Sequence, residues 1–206
     1  MIKALILAAG SGTRLKHLTR NKPKALVKIN GIPIIEHQLK ILIKNNINEI
    51  YIVIGFKGYL IKNYIKKKFS HLNILFIENK IFYKTESSYS YYLAKKYIYN
   101  KKYFHINCDV LFSNKTIKSM LRSKHSNLIC TRKTGKLANN MHLVRVKNNL
   151  ITKCENFFFY KDQEKIFGLA KFSAKMSKKL FDLISLQVKN RNRNKNCFSF
   201  ISETIN

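Results

Sequence analysis

A doubly wound, mostly parallel α/β sheet, with a small antiparallel β addition in the C-terminal third, is the fold class this sequence predicts. Three observations carry that reading. Short apolar runs alternate with amphipathic segments of helical period over roughly the first 130 residues. The first of those runs stops at a glycine-rich loop. Beyond that region the alternation gives way to short strands joined at Asn148-Asn149, a hairpin turn signal.

Taken in order, Lys3–Leu7 (KALIL) reads as a short buried strand ending at Ala9-Gly10. The stretch from Gly10 to Pro23 is a loop rich in Gly, Ser, Thr and basic residues, and Ala25–Ile29 is a brief extended piece before the Asn30-Gly31 turn. Pro33 suits the first turn of a helix running to about Asn46, with Ile34, Ile35, Leu39, Leu42 and Ile43 on one face. Ile50–Ile54 is the next strand, ended by Gly55. Tyr59–Phe69 is helical in pattern, Ile74–Ile77 is a strand, and Ser87 or Ser88 is placed to cap a helix through Tyr99. Tyr103–Cys108 is a strand leading to Asp109, Thr116–Leu121 a helix, and Leu128–Thr131 a strand. His142–Val146 and Ile151–Cys154 form the predicted hairpin. Phe167–Phe172 is a further strand, Lys175–Val188 an amphipathic helix, Lys189–Asn196 a basic surface loop, and Phe198–Ile205 the start of another helix. With no internal repeat and no linker, residues 1–206 read as a single domain.

The composition bounds the function. An apolar fraction of 46% is that of a globular chain. No apolar run approaches the ~20 residues needed to cross a bilayer, and the opening run is too short for a secretory segment, which predicts a soluble, cytoplasmic protein. Cys108, Cys130, Cys154 and Cys197 are widely spaced, with no C-x-x-C pair, as reduced and mostly buried thiols would be. Forty Lys and Arg against ten Asp and Glu give a formal charge of +30. The cations are spread along the whole chain and accompanied by abundant Asn and Ile, as a biased codon usage would produce. That spread, and the lack of any groove-reading or stacking motif, argue against nucleic acid as a partner, although a positive field favours anionic ligands.

The most informative stretch is Leu7-Ala8-Ala9-Gly10-Ser11-Gly12-Thr13-Arg14-Leu15, set at the end of the first strand. Glycines at positions 10 and 12 allow φ > 0 and a close approach of backbone N–H groups to phosphate. Arg14 adds a planar charged fork, and Lys22-Pro23-Lys24 offers two further cations on a stiffened backbone. A dinucleotide fingerprint would need glycine where Leu15 stands, and a Walker A loop would need Gly-Lys-Ser/Thr, which is missing.

LAAGSGTRL followed by NKPKALVKINGIPIIEHQLKIL resembles the N-terminal signature of the sugar-nucleotide-type nucleotidyltransferases. Within them it is most similar to the short cytidylyltransferases that act on phosphocholine and related head-group phosphates. The match is dense over residues 2–60, thinner over 74–112 and carried by general spacing alone thereafter. The resemblance implies a Rossmann-like nucleotidyltransferase fold and transfer of a nucleoside monophosphate, CMP from CTP, to a phosphorylated small molecule such as phosphocholine or a sugar 1-phosphate. It also implies a Mg²⁺ cofactor. The nucleotide would lie on Leu7, Ala8, Ala9, Gly10, Ser11, Gly12, Thr13, Arg14 and Lys24, with Arg14, Lys24 and Asp109 as the catalytic set and Asp109 as metal ligand. The family carries a second metal-binding Asp near its C-terminus. The sequence stops at Asn206 before such a strand, which implies a truncated chain or an incomplete metal site, and with it a nucleotide-binding homologue of impaired activity as the alternative.

With only ten acidic residues, Asp109 stands out on its own chemistry as well. A carboxylate at the carboxyl end of a strand, on the rim that carries the glycine loop, can hold Mg²⁺ against NTP phosphates. Residues for the base and the acceptor are less sharply drawn. Ser87 and Ser88, in Glu86-Ser87-Ser88-Tyr89-Ser90, suit either a nucleotide contact or a helix cap. The run Asn156–Asp162, with Phe157, Phe158, Phe159 and Tyr160, suits either a quaternary ammonium or ordinary packing. Glu155, Tyr160 and Glu203 are the acceptor-binding candidates.

Overall fold

The computed structural model describes residues 1–133, 143–155, 163–190 and 193–205. The strands are β1 (Lys3–Ala8), β2 (Lys28–Ile29), β3 (Ile32–Pro33), β4 (Ile50–Ile54), β5 (Ile74–Glu78), β6 (Tyr103–Asn107), β7 (Leu128–Lys133), β8 (Leu143–Lys147), β9 (Leu150–Glu155) and β10 (Gln163–Phe172). The helices are α1 (Ile34–Lys44), α2 (Gly58–Lys68), α3 (Ser87–Ile98), α4 (Asn114–Arg122), α5 (Ala174–Lys189) and α6 (Ser202–Ile205).

Eight of these strands form one sheet in the order β5-β4-β1-β6-β10-β8-β9, with β7 paired to β10. The first four are parallel, and β1 lies at the centre with Ala4 opposite Ile50 on one side and Phe104 on the other. From β10 outward the pairing is antiparallel, so the predicted antiparallel addition is an extension of the same sheet. The β2–β3 ribbon stands apart and is closed by Asn30-Gly31, both at positive φ. The β8–β9 hairpin turns at Asn148 and Asn149, with φ 50° and 60°, the left-handed conformation for which the Asn-Asn signal selects.

Because β1 is buried on both faces it reads as a continuous apolar run rather than an alternation. One face packs on α1, α2 and α4 through Ile35, Leu39, Leu42, Ile61 and Ile117. The other packs on α3 and α5 through Tyr91, Ala94, Phe181 and Ile184. α4 and α5 are capped by Ser113 and Ser173, whose hydroxyls accept from the amides of Thr116 and Met176.

Three segments differ from the sequence reading. The piece read as extended over 25–29 begins as a 3-10 turn at Lys24–Leu26, because Pro23 fixes the entry and Ala25 is buried there. β10 starts at Gln163, ahead of Phe167, and its register shifts around Gly168. The segment read as a helix from Phe198 is a 3-10 turn, Cys197–Phe200, followed by α6. Asn196 caps that turn by accepting from the Phe198 amide, while Phe198, Phe200 and Ile201 are buried.

Candidate active site

The carboxyl ends of β1, β5 and β6 open onto a cleft of about 230 Å³. This is where ligands bind in open α/β sheets. The glycine loop forms one wall. Cys108 N donates to Leu7 O (3.1 Å) and Phe56 N to Ala9 O (2.9 Å), which tie the end of β1 to β6 and to the turn after β4. Only one of the two loop glycines takes positive φ: Gly12, at 69°. A Cβ there would also stand 3.1 Å from Thr19 Cγ2 and 3.3 Å from Lys24 Cβ. The Thr19 hydroxyl donates to Gly12 O (2.8 Å) and closes the loop beneath it. Gly10 has ordinary φ, and a Cβ on it would meet no atom within 4 Å. Neither backbone strain nor packing within the chain requires glycine at this position, which lines the cleft.

Beside the loop glycines stand the cations and the carboxylate. Arg14 is exposed within the 3-10 turn Thr13–Leu18. Lys24 follows Pro23, and its ammonium is ion-paired with the Asp109 carboxylate. The turn that carries Asp109 is held from below by Gln38 of α1. The Gln38 side chain is buried, and its Nε2 donates to Asn107 O (2.9 Å) and Val110 O (2.7 Å), one on either side of Asp109. Burial pushes the neighbouring Cys108 thiol up to about 12, and Asp109 adds to this, so that thiol is not a nucleophile at neutral pH. The cleft itself is lined by Arg14 and Lys24 as cations and by Glu86 and Asp109 as acids. The large positive charge of the chain is therefore not concentrated here.

The remaining wall comes from residues that the sequence reading did not single out. Asn79, Phe82, Thr85, Ser90, Asn107 and Asn196 all line the cleft. Asn79 organises its part: the side chain donates to Thr85 Oγ1 and Ser90 Oγ (3.2 Å each) and accepts from Ile81 N (3.1 Å). Asparagine is so common in this chain that no local signal separates these positions, and only the fold brings them together.

Of the predicted nucleotide contacts, Leu7, Ala9, Gly10, Gly12, Arg14, Lys24 and Ser87 line the cleft, together with Asp109. Ala8, Ser11 and Thr13 belong to the same strand end and loop without lining it. Ser87 and Ser88 part company. The Ser87 hydroxyl accepts from Cys197 N (2.9 Å) at the cleft, whereas Ser88 is fully buried away from it, and its hydroxyl has no partner among the described residues. Neither caps α3. Glu86 stands at its N-cap, and the Glu86 and Ser88 amides donate to Arg193 O and Lys195 O of the segment that follows α5. Of the acceptor candidates, Glu155 ends β9 opposite Leu143, and Glu203 is exposed on α6, which packs beside β9 but does not line the cleft. Tyr160 and the rest of the aromatic run lie outside the described residues.

Comparison with known proteins gives the family and the fold. Choline-phosphate cytidylyltransferase of Streptococcus pneumoniae is 36% identical over 129 residues, which is 60% of this chain and 52% of that protein. Glucose-1-phosphate cytidylyltransferase of Salmonella typhimurium is 44% identical over 72 residues, 35% of this chain and 28% of that protein. The chain thus spans about half the length, or less, of the curated relatives it matches. Among solved structures, CTP:phosphocholine cytidylyltransferase from S. pneumoniae superposes with a TM-score of 0.78 at 24% identity, covering 99% of this chain and 85% of that one. The inositol-1-phosphate CTP transferase from T. maritima gives 0.78 at 20% identity, covering 100% and 81%. Both show the same fold. The pattern of the MobA-like NTP transferase domain runs over residues 4–172, from the start of β1 to the end of β10, and the chain belongs to that family.

Proposed function

We propose that this chain is a Mg²⁺-dependent nucleotidyltransferase that moves CMP from CTP to a phosphorylated small molecule, phosphocholine or a sugar 1-phosphate, and releases pyrophosphate. The observation that carries it is the meeting of Gly10, Gly12, Arg14, Lys24 and Asp109 at one cleft on the carboxyl rim of the sheet. The choice of CTP and of these acceptors rests on the names of the relatives, several of which are cytidylyltransferases.

In the reaction, an oxygen of the acceptor phosphate attacks the α-phosphorus of CTP, the bond from that phosphorus to the bridging oxygen breaks, and pyrophosphate leaves. Two anions must be brought together, so the enzyme's task is alignment and neutralisation of charge rather than covalent chemistry. The open backbone at Gly10 admits the triphosphate, while Arg14 and Lys24 offset its charge. Lys24 is ready to exchange its partner, Asp109, for a phosphate oxygen. Glu155 and Glu203, where β9 and α6 adjoin, stand outside the cleft lining and are the acceptor contacts this reading would add.

The residues present fit Mg²⁺. Among the described residues no group of three or more His, Cys, Asp or Glu could hold an ion outright. Mg²⁺, however, keeps several waters and needs only one or two carboxylates when substrate phosphates complete its shell. Asp109, with its side chain 34% exposed at the cleft, would be that ligand. Bound there, Mg²⁺ would neutralise charge on the phosphates. The test is calorimetric titration of the purified chain with CTP in the presence of Mg²⁺. Binding that weakens in Arg14→Ala supports the reading, and no heat from any of CTP, UTP, GTP or ATP overturns it.

A further inference from the structure

A chain of hydrogen-bonded side chains runs from the deep core to the cleft along β6. The Tyr103 hydroxyl donates to the Tyr91 hydroxyl (3.1 Å), which lies 2.8 Å from His105 Nδ1, and His105 Nε2 lies 3.0 Å from Asn107 Oδ1. Alternation along the strand puts positions 103, 105 and 107 on one face, and Tyr91 reaches that face from α3. Tyr103, Tyr91 and His105 are all buried, while Asn107 lines the cleft. The imidazole is walled in by the Tyr91 ring, stacked at 5.4 Å, and by the edge of Phe198 at 4.7 Å.

The polarity of this relay follows from counting hydrogens. Each phenol has one to give. Among the described residues the Tyr103 hydroxyl has Tyr91 as its partner, so its hydrogen must go there. Reversing the chain would leave that hydrogen buried with no acceptor, which folded proteins avoid. The Tyr91 hydrogen then goes to Nδ1. Burial pushes the imidazole down to about 4, so it is neutral and carries one N–H. That hydrogen sits on Nε2 and is donated to Asn107 Oδ1. With Oδ1 engaged, what the Asn107 carboxamide has left for a ligand is its NH₂. The room it occupies is made by Gly168 of β10, where a Cβ would stand 2.6 Å from Asn107 Nδ2.

We infer that Asn107 is a neutral hydrogen-bond donor to a phosphate oxygen of a bound substrate, fixed in that orientation by Tyr103, Tyr91 and His105 as positioning residues. The inference rests on the nucleotidyltransferase reading, since phosphate oxygens are the acceptor-only groups such substrates bring beside Asp109. It also separates two neighbours on one turn. Asp109 is the anionic group, and Asn107, its carboxamide oxygen taken by His105, is excluded from that part.

Two measurements on the full chain decide it. The first compares wild type, Asn107→Ala and Asn107→Asp by calorimetric titration with CTP and Mg²⁺ and, separately, with phosphocholine, with thermal midpoints confirming that each variant is folded. Asn107→Asp keeps the shape and replaces the donor with an anionic oxygen. It is expected to weaken one of the two ligands at least tenfold more than Asn107→Ala does, and the ligand affected identifies whether the phosphate is that of the nucleotide or of the acceptor. Binding by Asn107→Asp equal to or tighter than wild type overturns the inference while leaving the nucleotidyltransferase reading in place. A wild type that binds neither ligand removes that reading and the inference with it. The second is the tautomer of His105 in ¹⁵N-histidine-labelled wild type, its signal assigned by loss in His105→Gln. A proton on Nε2 is expected, and a proton on Nδ1 reverses the relay and overturns the inference.

Discussion

The ammonium of Lys24 and the carboxylate of Asp109 are ion-paired at the mouth of the cleft, although 85 positions separate them in the chain. Their side chains are 18% and 34% exposed, so solvent screens the pair and its contribution to stability is small, below about 1 kcal/mol. Lys24→Gln is therefore expected to unfold in urea within about 1 kcal/mol of wild type. Nucleotidyl transfer should nonetheless fall by about 10²-fold, the scale of removing one charge-stabilising donor. A loss of several kcal/mol with transfer intact would make the pair a structural brace instead.

Gln38 presents a different balance. Its Nε2 joins two backbone carbonyls that flank Asp109, and the side chain is almost fully buried. Gln38→Ala takes this donor from the Val110 carbonyl, leaves Asn107 O with only the Val110 amide at 3.3 Å, and opens a small cavity, for an expected loss of about 1–3 kcal/mol in equilibrium urea unfolding. Because the same bonds set the turn at Asp109, CTP affinity in the presence of Mg²⁺ should fall as well. Unchanged stability would show that water replaces the amide without cost.

Gly168 couples the antiparallel strands to the site. At φ 74° an L side chain is strained, and a Cβ would also press on the Asn107 carboxamide. Gly168→Ala is expected to cost roughly 1–3 kcal/mol and to weaken substrate binding from outside the cleft lining. Thermal denaturation and CTP titration on the same sample check both.

His105 gives the fold a dependence on pH. Burial lowers the imidazole to about 4 from an ordinary 6.5, so the unfolded chain binds the proton more readily than the folded one. The stability this confers is fully present above pH 6.5 and is lost as pH falls from there through about 4. The full swing is on the order of 3 kcal/mol. In His105→Gln that part of the slope should vanish. Parallel stability curves for the two proteins between those values would contradict the assignment.

Much of this was legible in the sequence. The glycine loop and Asp109 are legible because each follows a plainly apolar strand and acids are scarce in this chain, and Arg14 and Lys24 because they follow the glycines as phosphate-binding cations; the fold brings all of them to one cleft. The β8–β9 turn was found because Asn-Asn favours the left-handed backbone. What the sequence concealed depends on tertiary contact. Nothing local distinguishes Gly12, which needs its positive φ, from Gly10, which does not. Ser87 and Ser88 look interchangeable until the segment after α5 pairs with the first turn of α3 and places one at the cleft and the other beneath it. Asn79, Asn107 and Asn196 were hidden by the abundance of their own residue type.

The central claim is that Asp109 and its neighbours support transfer of a nucleotide. The most direct measurement is pyrophosphate release by wild type and Asp109→Ala, with CTP, UTP, GTP and ATP each paired with phosphocholine, phosphoethanolamine and sugar 1-phosphates. Release with one pair, CTP foremost, that disappears in Asp109→Ala is the predicted result. Silence across every pair from a wild type that still binds nucleotide would contradict the claim and leave a nucleotide-binding protein without turnover.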